Sequence, residues 1–333
     1  MVIAMIEWIM LAVSILVFPG ILFLISLSLF TQWYYRKLSG RLQNRMGPTY
    51  VGPAGLLQPL MDLWKLIHVK EMAVNKYSLP SLAQFFGLLG ISALVVSLLL
   101  FPLSPYHVTG PYDFLVFIYL VSLWVPLSML IMSLSMPGPY TSTGVSRLLT
   151  FITLIEPSFF AALLAPVALA SARTGIPYSV LEASKNVIYC WANPVLLPVM
   201  VLSLVAAIVV LQAKAMFQPF NIPEAEQEII AGYETEFSGP LLGLASLMHD
   251  MDIAVTAIAI TYLILGGPYP FPHLSVPGIV LLIIKYMAVV TVATIIKNAF
   301  GRYRIEQALN TIFKYALIPA IVALILAMIY LYA

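Results

Sequence analysis

Eight apolar runs, each long enough to cross a bilayer, leave this chain little choice of fold. They cover roughly residues 8–33, 82–103, 114–136, 148–172, 195–217, 240–265, 276–296 and 312–332. A helix needs about 20 residues to span the hydrocarbon core. Stretches such as 97–101 and 321–325 are apolar on every face, as lipid-exposed or bundle-buried helices are. A β-barrel would show short alternating segments instead. Only 9% of the 333 residues are charged, against roughly 25% in soluble domains. The chain reads as an all-α membrane protein, one polytopic domain over residues 1–333. Its first run carries Glu7 and lacks a basic leader, so it reads as a span and not as a cleaved signal peptide.

Lys and Arg set the expected orientation. With the loop after the first span in the cytoplasm, that side holds Arg36, Lys37, Arg41, Arg45, Lys65, Lys70, Lys76, Arg147, Lys214, Lys297, Arg302, Arg304 and Lys314. The opposite side holds Arg173 and Lys185, and Lys285 falls inside the seventh span. Both termini are then expected on the outer face of the cell membrane. The expected cytoplasmic loops are long: 34–81, 137–147, 215–239 and 297–311. The outer ones are short and rich in Pro and aromatics.

One cysteine, Cys190, excludes a disulfide framework or a cysteine-ligated cluster within the chain. The histidines at 68, 107, 249 and 273 have no metal-ligand spacing. No metal site is therefore expected, and any redox cofactor must sit in another subunit. The net charge of +2 says nothing about partners, and no nucleic-acid partner is expected.

The polar chemistry concentrates in a few places. The segment 221–239, "NIPEAEQEIIAGYETEFSG", carries Glu224, Glu226, Glu228, Glu234 and Glu236, five of the fourteen acids. On a helix Glu224 and Glu228 would share a face. The apolar residues between the acids, Ile229, Ile230, Tyr233 and Phe237, favour a folded loop that turns acids into a cavity; a solvated acidic loop is the alternative. Glu156 lies deep in the fourth span, where a charge costs about 2.5–3.5 kcal/mol and commonly marks an ion path. Its alternative is a neutral or paired carboxyl that serves packing. Pro157, next to it, loosens the local helix. His249, Asp250 and Asp252 form a titratable cluster early in the sixth span, suited to a proton relay or to hydrogen bonding between helices. Lys285 is a plausible counter-ion for one of these acids; snorkelling to an interface is the alternative. After the first span, Gly47, Pro48, Gly52, Pro53 and Gly55 mark turns. Leu56 to Glu71 then reads as an amphipathic helix at the membrane interface, with Leu56, Leu60, Leu63 and Ile67 on one face.

Together, "RLQNRMGPTYVGPAGLLQP", "DLWKLIHVKE" and "PEAEQEIIAGYETEFSG" resemble the NADH dehydrogenase subunit 1 family of the complex I superfamily, which includes its bacterial NADH-quinone oxidoreductase counterparts. Weaker matches are "SRLLTFITLIEP" and "RYRIEQ", and the resemblance spans essentially the whole chain. It implies a non-catalytic membrane anchor for a peripheral redox arm. It implies buried acids that start an ion relay; the candidates on this chain are Glu156, the five loop glutamates, Asp250 and Asp252, joined by His249, which is less expected in the family, and by Lys285. It implies a redox-arm interface or cavity at Arg36, Arg41, Arg45, Gly47, Pro48, Gly52, Gln58, Asp62, Lys65, Arg302 and Arg304. The implied partners are hydrophilic redox subunits, antiporter-like and small membrane subunits, and the lipid bilayer. Iron–sulfur clusters, and a nickel–iron site in the hydrogenase-type branch, would lie in those partners.

Three positions depart from the quinone-using pattern. Tyr35 stands where those members have Glu, Asn221 where they have Asp, and Gly301 where they have Pro. The energy-converting hydrogenase-type branch or a ferredoxin-linked relative becomes the leading expectation. A quinone-chamber subunit is the alternative, and a stand-alone secondary transporter ranks below both.

Overall fold

The computed structural model describes residues 10–103, 110–172 and 175–332. Glu7, His107 and Arg173 lie outside them. Among the described residues there are helices and no strands, and eight helical segments have the length and hydropathy to cross a membrane. All eight coincide with the expected apolar runs. The membrane-length segments contain α1 (Ile21–Leu42), α3 (Pro80–Leu99), α4 (Asp113–Leu134), α5 (Pro139–Ser171), α7 (Leu197–Lys214), α8 (Gly239–Leu263), α9 (Val276–Ala299) and α10 (Ile305–Tyr332).

Helix ends differ from the hydropathy reading in a consistent way. α1 runs on to Leu42 and α5 begins at Pro139, so residues 34–42 and 139–147 are helix and not loop. Residues 305–311 are likewise the first turns of α10. Hydropathy reports where a helix leaves lipid, whereas Arg, Lys and Gln are good helix formers and carry the same helix onward into water.

Two further helices lie outside the spans. α2 (Gln58–Trp64), extended by a wider turn over Lys65–Val69, is the expected amphipathic element. It rests on the start of α8, where Leu63, Leu66 and Ile67 close over Gly243. Leu60 and Ile67 remain about two-fifths exposed, as suits an element at an interface. α6 (Val180–Ala192) was not expected, because thirteen residues are too few for a span. It buries Val180, Ala183, Val187 and Cys190 on one face and pairs Glu182 with Lys185 at 2.8 Å on the other.

The bundle is organised around α8, which is buried along nearly its whole second half. α1 and α3 each pack against it; α5, α7 and α10 pack on one another. Leu88, Ile284 and Ile329 remain about 60% exposed on the outer surface. Burying them needs a lipid or protein neighbour.

Candidate functional site

The most sheltered charges meet where α5, α7 and α8 converge. Lys214 is the last residue of α7, yet its side chain is only 3% exposed. Its Nζ lies 2.8 Å from Glu156 Oε1 on α5 and 3.7 Å from Asp252 Oδ2 on α8. The ammonium also stands 5.2 Å from the centre of the Phe159 ring. One cation thus serves two carboxylates. Glu156 Oε2 and Asp252 Oδ1 are buried and meet no hydrogen-bond partner among the described residues. Beside them is a cavity of about 50 Å³, walled by Met129, Leu148, Phe151, Ile155 and Met248, with His249 at its edge. That volume holds a few waters. Pro157 lies inside α5 next to Glu156, where its missing N–H loosens the helix at this depth.

Asp250 is separate from this group. Two residues along a helix are roughly 200° apart, so Asp250 and Asp252 project from opposite sides of α8. Asp250 faces α1, where Gln32 Nε2 donates to it at 2.7 Å and the Tyr35 hydroxyl at 3.4 Å. The expected single cluster of His249, Asp250 and Asp252 is therefore two sites with α8 between them.

Lys285 pairs with no acid among the described residues. Its Nζ donates to the carbonyls of Leu265 (2.7 Å), Gly267 (2.9 Å) and Tyr269 (3.0 Å), in the turn that follows α8. Those carbonyls lie beyond the helix end and need donors. Lys214, read from the sequence as an ordinary charge at a helix end, is the counter-ion.

The acidic loop is folded, and its five acids go to different places. Glu224 accepts a hydrogen bond of 2.6 Å from the buried Tyr233 hydroxyl. Burial, reinforced by the Glu224 and Asp250 carboxylates, pushes Glu234 up to about 8. Burial raises the Tyr233 phenol well above its ordinary value, with Glu224 and Glu234 adding to it. Glu228 is gripped by Arg147 at 2.7 Å and Arg302 at 2.9 Å, so it ties the loop to α5 and to the segment after α9. The Arg147 hydrogen bond holds its carboxyl below the usual range. Glu226 borders a polar cavity, and Glu236 packs against Gly138 at the start of α5. The loop holds one α-helical turn, Glu226–Ile229, and a 3-10 turn, Gly232–Glu234; Glu224 lies outside both, so Glu224 and Glu228 do not share a helical face. Ile229, Tyr233 and Phe237 are buried as expected; Ile230 is 56% exposed, at φ 61°. The loop lies against α5 at Gly144, where any side chain would collide with the Tyr233 backbone.

The polar cavity is a cup of about 630 Å³ at the Lys- and Arg-rich end. Its walls include Arg36, Gln43, Arg45, Gln218, Asn221, Gln227, Lys297, Asn298, Gly301 and Arg302. Arg36 pairs with Asp62 at 3.0 Å, and Gln58 donates to the same carboxylate at 2.9 Å. Arg45 donates to Gln43, which bonds Asn298, each at 2.8 Å. Lys297 lies 3.8 Å above the Phe217 ring and 4.7 Å from the Tyr35 ring. Arg41, Lys65 and Arg304 are exposed on the same end and border no part of the cup.

The Gly-Pro loop between α1 and α2 is held by Lys37. Its Nζ donates to the carbonyls of Pro48 (2.7 Å) and Ala54 (3.0 Å). Gly47 lies against the Lys37 backbone, and Gly52 at φ 72° leaves room for Leu57. Gly55, at φ 77°, sits where a Cβ would strike the Pro48 carbonyl.

A family model described as NADH dehydrogenase matches residues 13–328. The chain belongs to this family. It is the family of complex I subunit 1, and with eight membrane-length helices the chain is a membrane subunit of a complex I-related complex. Its fold is also that of a chain in the membrane-bound sulfane sulfur reductase, an archaeal respiratory membrane complex. The two are 23% identical with a TM-score of 0.74, over 92% of this chain and 96% of that one. Tyr35, Asn221 and Gly301, the three departures from the family's quinone-using pattern, all line the polar cup.

Proposed function

We propose that this chain is the anchoring and coupling subunit of a redox-driven ion pump. It would hold a hydrophilic redox arm on its Lys- and Arg-rich face, which the positive-inside rule assigns to the cytoplasm. Iron–sulfur chemistry belongs to that arm. A charge change in the arm alters the field at the cup and the acidic loop. Glu224, Glu234 and Asp250 respond by gaining or losing protons, and the change passes across α8 to Asp252, Lys214 and Glu156. Antiporter-like membrane subunits would receive it there.

The observation that carries this reading is the buried Glu156–Lys214–Asp252 group beside a water-sized cavity, with one oxygen of each carboxylate lacking a partner among the described residues. A purely structural pair would be expected to satisfy its acceptors. The test is charge removal in the purified complex, reconstituted in liposomes. Glu156→Gln and Asp250→Asn should each cut coupled ion transport at least tenfold. Unchanged transport in both overturns the proposal. Transport by the isolated chain would instead favour a secondary transporter.

The cup supports one branch of the superfamily over the other. Ligand pockets of its size are mostly apolar, whereas this one presents Arg36, Arg45, Lys297, Arg302 and five amides. That wall favours an energy-converting hydrogenase-type or ferredoxin-linked complex over one that seats an isoprenoid quinone. A quinone chamber is the second reading, favoured by the volume of about 630 Å³. Saturable protection of the cup from an arginine-modifying reagent by a quinone analogue would support it.

A further inference from the structure

Among the described residues, one side-chain hydrogen bond leads from the cup to Asp250. Asp250 is 6% exposed. Its recorded partners are Gln32 at 2.7 Å and Tyr35 at 3.4 Å. Gln32 does not border the cup, whereas Tyr35 does. Among the described residues, Tyr35 alone both lines the cup and hydrogen-bonds Asp250. Its ring is fixed from two sides: Phe217 meets it edge-on with centroids 5.1 Å apart, and Lys297 lies 4.7 Å from its centre. A ring held in this way keeps its hydroxyl oxygen on the Asp250 side of the cup.

We propose that Tyr35 is the gate through which protons pass between the cup and Asp250, and that the ion handled at this point is therefore H⁺. This rests on the coupling role proposed above and names its entry residue. The step balances as a hop. The Tyr35 hydroxyl first closes its 3.4 Å gap to Asp250 to ordinary hydrogen-bond length, and its O–H bond breaks as the proton joins Asp250 Oδ1. A water in the cup supplies a proton to the same phenol oxygen, so that no free phenolate forms. That water recovers its proton from the aqueous phase. The reverse sequence returns the proton. A metal cation cannot use this route, because a single hydroxyl and one amide donor provide no cage of oxygen ligands. Gln32, which presents its N–H₂ to Asp250, orients the carboxylate and in its recorded contact carries no proton onward.

The test uses the whole complex in liposomes, in sodium-free medium, with electron transfer and proton uptake recorded together. Tyr35→Phe keeps the ring that Phe217 and Lys297 rest on and removes only the hydroxyl. The expected result is unchanged assembly and at least a tenfold fall in protons moved per electron transferred. Phe217→Leu, which disturbs the ring packing and leaves the hydroxyl, should cost far less. Transport retained in Tyr35→Phe but lost in Asp250→Asn would overturn the gate and leave the coupling role standing. Transport retained in both would overturn the coupling role itself. If Tyr35→Phe does not assemble, a fluorinated tyrosine at position 35 replaces it, since it keeps the shape and makes the phenol more acidic. A shift in the pH profile of proton uptake supports the gate, and an unshifted profile overturns it.

Discussion

Lys214 holds its ammonium 2.8 Å from the Glu156 carboxylate, with only 3% and 11% of the two side chains exposed. Removing one partner of such a pair strands a charge away from water, at a cost of about 3–5 kcal/mol. Lys214→Met should therefore destabilise the chain by that order, because two carboxylates lose their cation together. Adding Glu156→Gln and Asp252→Asn to the same chain should recover most of the loss. Thermal unfolding of the detergent-solubilised complex checks this; an additive rather than compensating triple variant would show that the three groups do not act as a unit.

Glu228 joins three segments that are far apart in sequence, through Arg147 and Arg302. Its side chain is 49% exposed, so the pairs are screened and Glu228→Gln should cost only about 0.5–1 kcal/mol. The folded carboxyl is held below its ordinary value by the Arg147 hydrogen bond. The stability it contributes is thus present above about pH 4.3, the value of a free glutamate. It is lost as pH falls through the lower folded value. Proteolysis of the 215–238 loop should accelerate in Glu228→Gln at neutral pH, and in the wild type only under strong acid or about 1 M salt.

What the sequence revealed, and what it hid, follows from the range of each interaction. The spans were legible because an apolar run of membrane length is a local property. The acidic loop was legible as folded because Tyr233 and Phe237 recur among its glutamates. Lys214 was hidden because a lysine at the end of an apolar run looks like any helix-end charge; only the convergence of α5 and α8 shows what surrounds it. Asp250 and Asp252 could have been separated from spacing alone, since two residues on a helix point in nearly opposite directions. Tyr35 could not have been paired with Asp250, because the two are 215 positions apart in the sequence.

Lys285 illustrates the cost of reading a charge in a span as functional by default. Its three acceptors are the carbonyls of Leu265, Gly267 and Tyr269. Lys285→Met should leave them short of a donor and destabilise the turn after α8 by about 1–3 kcal/mol. Coupled transport per electron should not change. A transport defect without a fall in Tm would restore Lys285 to the ion path.

Glu234 gives the site a pH signature. Its value of about 8, raised first by burial and then by Glu224 and Asp250, means that the carboxyl carries its proton at neutral pH. The folded value lies above the unfolded one of about 4.3. The folded state is therefore favoured fully below about pH 4.3, and that advantage is lost progressively as pH rises toward 8. A single such group changes stability by at most about 1.4 kcal/mol per pH unit. Glu234→Gln, neutral at every pH, should remove this slope. The gap in Tm between variant and wild type should widen from about pH 5 to pH 8 in favour of the variant, then level off. Glu224→Gln removes the nearest carboxylate and should move the levelling point to lower pH. A gap that stays constant across this range would mean that Glu234 is ionised in the folded protein, and the loop would then carry no proton at neutral pH for the redox arm to displace.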